Sequence, residues 1–75
     1  MNKARKNKLK DILNELETIY ARLDDIRGLE EDAMMNVPES LQETDRYEEM
    51  EEAFDNLDNA CSSLEDALDS IKEVI

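Results

Sequence analysis

The residues of this chain that could do chemistry are its carboxylates. Asp and Glu number 21 against 9 Lys and Arg, and there is no His. Imidazole acid–base work and Ser–His–Asp nucleophilic catalysis are therefore excluded. Cys61 stands alone, which excludes an intrachain disulfide and a Cys/His zinc site. Asp24 and Asp25 are adjacent, and adjacent helix positions do not face one another. Glu48 with Glu52, and Glu51 with Asp55, have the four-residue spacing that stacks like charges on a helix, at a cost of about 0.2–0.5 kcal/mol per pair. No Asp-x-Asp-x-Asn-Gly calcium loop occurs. The chain is expected to be no enzyme and to hold no metal or cofactor.

The acids therefore need another reason to be there. Glu48, Glu51, Glu52, Asp55 and Asp58 form a candidate partner surface. One explanation is solubility and the avoidance of further association. A sharper one is docking to a basic protein, including imitation of a nucleic-acid backbone whose negative charges recur every few ångströms. Weak divalent-ion binding is the remaining alternative. The opposite charge is confined to the start of the chain. Lys3, Arg5, Lys6, Lys8 and Lys10 have no acid among them, whereas the rest of the chain has only Arg22, Arg27, Arg46 and Lys72. Five cations without an aromatic, on a chain of net charge −12, do not make a nucleic-acid site. They are expected instead to pair with the acidic body.

The elements that must position these charges are helical. With 40% hydrophobic and 40% charged residues, one Gly and one Pro, the composition suits long helices and lacks the turn residues of a β-protein. Leu9, Ile12, Leu16, Ile19, Leu23 and Ile26 recur at alternating spacings of three and four, a heptad stripe, and Leu13 and Tyr20 widen it. A second stripe reads Tyr47, Met50, Phe54, Leu57, Cys61, Leu64, Leu68, Ile71 and Ile75. A column of Ala53, Ala60, Ala67 and Val74 runs beside it. Between them, Pro38 would break a helix, and Ser40 (with Glu43) or Thr44 can cap the next one. The expectation is one domain over 1–75: helix 1 about 3–35, a loop about 36–43, helix 2 about 44–75. The fold class is an all-α, antiparallel helix–loop–helix hairpin. Pairing about a centre near residue 40 would set Leu9 opposite Ile71 and bring Lys3–Lys10 to Glu65, Asp66, Asp69 and Glu73.

One hairpin leaves both stripes wider than a single neighbour can cover. Area bookkeeping for so short a chain also comes out near zero once chain entropy is subtracted. A homodimer, two hairpins forming a four-helix bundle, is therefore expected, with the two leucine-rich stripes as its core and dimer seam. A constitutive partner of another kind would satisfy the same surface. Cys61 reads as a buried small hydrophobe, with a cross-dimer disulfide as the alternative. No apolar run approaches the roughly 18 residues of a membrane span, and no apolar stretch follows the basic start as a secretory signal would require. A cytoplasmic location without membrane contact is expected.

Asn36-Val37-Pro38-Glu39-Ser40-Leu41-Gln42, with Arg46, Met50-Glu51-Glu52-Ala53 and Ser63-Leu64-Glu65-Asp66-Ala67, resembles short acidic helical-hairpin proteins of Gram-positive bacteria and their phage-like elements. The likeness covers about the second half of the chain. It implies a mobile-element setting. Small acidic phage proteins that block nucleases by imitating DNA are similar in charge and size.

Overall fold

Asn2 starts the first helix, its side-chain oxygen accepting a hydrogen bond from the Arg5 N–H at 2.9 Å. That satisfies one of the free N–H groups every helix start exposes. In the computed structural model, which describes residues 1–75, helix α1 then runs Lys3–Met35 without a break. Gly28 lies inside it with a negative φ, and a Cβ there would meet nothing within 4 Å. Pro38 (φ −58°, ψ 144°) ends any continuation. A 3₁₀ turn, Glu39–Leu41, follows, with the Leu41 N–H donating to the Pro38 carbonyl at 2.8 Å. Ser40 belongs to this turn. Thr44 is the cap of the second helix: its hydroxyl oxygen accepts from the Tyr47 N–H at 3.3 Å and donates to the Leu41 carbonyl at 2.8 Å. Helix α2 spans Asp45–Val74, with Asp45 and Glu48 in its first turn, where the helix dipole favours acids.

The two helices pack antiparallel along one seam, and there are no strands. Contacts between them fix the register. Tyr20 donates to Glu65, Arg27 reaches Asp58, and Lys72 reaches Glu17. Continued along the hairpin, this register sets Leu9 level with Ile75, not with Ile71. The expected centre near residue 40 is corrected by about one helical turn, because the connection includes the 3₁₀ turn and extends to the Thr44 cap. The basic segment is affected most. Residues 1–8 are all exposed, and no ion pair joins Lys3, Arg5, Lys6, Lys8 or Lys10 to Glu65, Asp66, Asp69, Glu73 or any other acid.

The molecule is a rod, 59 × 15 × 13 Å, with a radius of gyration of 17.2 Å. A compact chain of this length would measure about 11 Å. Only Cys61 and Leu68 are buried, because a residue between two helices is covered on one side alone.

Candidate functional site

The seam decides which residues remain free to act. On α2 it is the expected stripe: Phe54, Leu57, Leu64 and Ile71 are half-buried, and Cys61 and Leu68 are buried at 4% and 6% exposure. On α1, Leu9, Leu16 and Leu23 face the partner helix, but Ile12, Ile19 and Ile26 do not; they are 44%, 47% and 54% exposed. The seam on α1 is completed instead by Leu13, Tyr20, Arg27 and Met34, all half-buried. The helix has turned by one column. Leu13 and Tyr20 widen the stripe in the sequence, and that widening was the signal for the turn. Arg27 continues the same column but, being charged, reads as surface.

Arg27 organises one flank of the hairpin. Its guanidinium donates from Nε and Nη2 to one oxygen of Asp24, at 3.0 and 2.8 Å. Its Nη1 lies 3.5 Å from Asp58 and 3.8 Å from Glu31. The hydrogen bonds to Asp24, aided by the nearby Asp58, raise the Arg27 pKa above its ordinary value. Two turns along, the Tyr20 hydroxyl donates to Glu65. That bond, with the adjacent negative charge, pushes the phenol up to about 12. Lys72 to Glu17, at 3.8 Å, closes the row. Without these cations and the phenol, Glu17, Asp24, Glu31, Asp58 and Glu65 would be an uncompensated line of like charge.

The same contacts locate the opposite flank. Since Glu17, Asp24 and Glu31 share a side with Asp58, Glu65 and Lys72, the columns on the far side of each helix lie together as well. On α1 these are Ile12, Ile19, Ile26 and Ala33; on α2 they are Ala53, Ala60, Ala67 and Val74. The register pairs Ile12 with Val74, Ile19 with Ala67, Ile26 with Ala60 and Ala33 with Ala53. Every one of the eight is exposed. The result is a continuous apolar face four layers long, with large side chains on one helix and mostly small ones on the other.

No family model, curated protein or solved structure matches this chain.

The candidate acidic surface lies on α2. Glu48, Glu51, Glu52 and Asp55 are exposed and take part in no ion pair, whereas Asp58 is tied to Arg27. No group of three or more Cys, Asp or Glu is placed to hold a metal ion, and no helix is long and apolar enough to cross a membrane. An apolar cleft of about 430 Å³ opens at the turn, with Val37, Pro38, Leu41, Tyr47 and Met50 in its walls. Cys61 is a free cysteine, buried in the hairpin's own seam.

Proposed function

We propose that this chain is a non-enzymatic protein–protein interaction module: an acidic helical hairpin that pairs with a second copy through its Ile/Ala face to build a four-helix bundle. The observation that carries this is the exposure of Ile12, Ile19 and Ile26 on one flank with Val74. Single exposed leucines are ordinary, but a row of aliphatic residues at heptad spacing beside a row of alanines is a surface for another helix pair. The alanines let backbones approach closely, and the isoleucines fill the space so created. Area supports the same conclusion. The hairpin exposes 5797 Å². A folded monomer of its mass exposes about 4,700 Å². The excess, roughly 1,000 Å², matches the approximately 800 Å² that each partner buries in an ordinary stable interface.

Sedimentation equilibrium tests this reading. The wild type should run at twice its 8.7 kDa chain mass. The double variant Ile19→Glu, Ile26→Glu should run at the chain mass, since Glu suits a helix but not a dry interface. A wild type that stays at 8.7 kDa while fully helical would remove the proposal.

A second reading rests on Glu48, Glu51, Glu52 and Asp55, which no cation neutralises. They lie off the proposed bundle core and remain free for a basic, nucleic-acid-binding protein. Binding to such a protein would compete with DNA and weaken with salt. Reversing Glu51, Glu52 and Asp55 to Lys should abolish it; binding that survives the reversal removes the mimic reading. A cytoplasmic setting in a Gram-positive bacterium or its phage-like element belongs to the same proposal.

A further inference from the structure

The two ends of the rod carry opposite charge, and neither is neutralised within the hairpin. At one end, α1 extends past Ile75 by its first residues, an overhang of about 9 Å at 1.5 Å per residue. Lys3, Arg5, Lys6 and Lys8 sit there, exposed and without an acid partner. They also crowd the positive end of their own helix dipole, so they gain nothing from α1 itself. At the other end lies the turn. Glu39, Glu43, Asp45, Glu48 and Glu49 are exposed around it, Arg46 is the one base among them, and no ion pair forms. The separation between the ends is most of the 59 Å length, far beyond the roughly 10 Å reach of a charge at 0.1 M salt. The ends of one molecule cannot satisfy each other.

A second copy can satisfy both at once. Two hairpins can stack their apolar faces with twofold symmetry in two ways. With the turns at the same end, basic overhang meets basic overhang and acidic turn meets acidic turn. With the turns at opposite ends, the axis passes through the middle of the face, between the Ile19–Ala67 and Ile26–Ala60 layers. That alignment brings the overhang of each chain level with the partner's turn. Turns at the same end set each isoleucine row on the partner's alanine row, and turns at opposite ends set isoleucine on isoleucine and alanine on alanine; both cover the apolar layers, and charge separates them.

We propose that the two hairpins dock antiparallel, with Lys3, Arg5, Lys6 and Lys8 of each chain seated against the acidic turn, Glu39 to Glu49, of the other. This orientation rests on the self-association proposed above. The basic segment then acts as an orientation key and not as a nucleic-acid or membrane anchor.

The test places one nitroxide on each chain at Ser40→Cys, in a Cys61→Ala background whose helicity and sedimentation match the wild type. Ser40 is exposed in the turn and its side chain makes no hydrogen bond. Antiparallel docking puts the two labels about 50 Å apart, from the helical rise between the middle of the face and the turn. A distance distribution centred there supports the proposal; one centred below about 30 Å, as turns at the same end require, overturns it. The unlabelled wild type is sedimented in parallel. If it is monomeric, the self-association fails, and the orientation with it; if it is dimeric with a short distance, only the orientation fails. A second variant, with Lys3, Arg5, Lys6 and Lys8 changed to Gln, leaves the apolar face intact. It should dimerise about tenfold more weakly at low salt and equally well at about 1 M salt. Equal dimerisation at low salt would overturn the role of the overhang.

Discussion

The two flanks of this hairpin contrast. On one, carboxylates from both helices come together and are held by Arg27, Tyr20 and Lys72. On the other, Ile12, Ile19 and Ile26 stand in water beside alanines. The charged flank is complete in a single chain, since its repulsions have local partners and its polar atoms can also use solvent. The apolar flank has no such option, because nothing within the chain can cover it. In the self-association proposed above, the open flank is where the second copy would sit.

Substitutions can break or sharpen this contrast. The largest effect is expected between the flanks, at Leu68. Only 6% exposed, it anchors the seam that both flanks depend on. Leu68→Ala should cost about 2–4 kcal/mol, read as a fall in the urea midpoint, and should loosen both flanks together. Arg27→Met comes next and should act on the charged flank alone. Its loss of stability should be smaller than that of Leu68→Ala, greatest at about 0.02 M salt and much reduced at about 1 M, where unpaired acids are screened. An effect independent of salt would mean that Arg27 acts through its aliphatic stem. Gly28→Ala lies off both flanks, with open space for the new methyl. It should raise stability by about 0.5–1 kcal/mol and leave the oligomeric state unchanged.

The smallest effect is confined to alkaline solution. Tyr20 is raised from 10.0 to about 12 by its bond to Glu65. Because the folded pKa is the higher, this contribution is fully present below pH 10 and is lost as pH rises through about 12. Comparison with Tyr20→Phe isolates it. The stability difference between the two proteins should be constant below pH 10 and shrink above it.

The helices and the hairpin were legible in the sequence because the spacing of Leu9 to Ile26 and of Tyr47 to Ile75 is strong, and Pro38 interrupts it once. The facing of α1 was not. Leu9, Leu16 and Leu23 belong to two overlapping stripes, one completed by Ile12, Ile19 and Ile26 and the other by Leu13 and Tyr20. Periodicity alone ranks them equally, and α2 takes the second. The register was misplaced by a turn because capping residues at Ser40 and at Thr44 both fit the pattern, and only the 3₁₀ turn separates them. Arg27 was missed as a seam residue because its value there comes from Asp24, Glu31 and Asp58, two of which are helical neighbours and one of which is 31 positions away.

Thermal unfolding followed by circular dichroism across about a hundredfold range of protein concentration tests the open flank directly. If covering the isoleucine row with a second copy is part of folding, mass action should raise Tm by about 5–10 °C across that range. A Tm that does not move with concentration, in a fully helical protein, would contradict it.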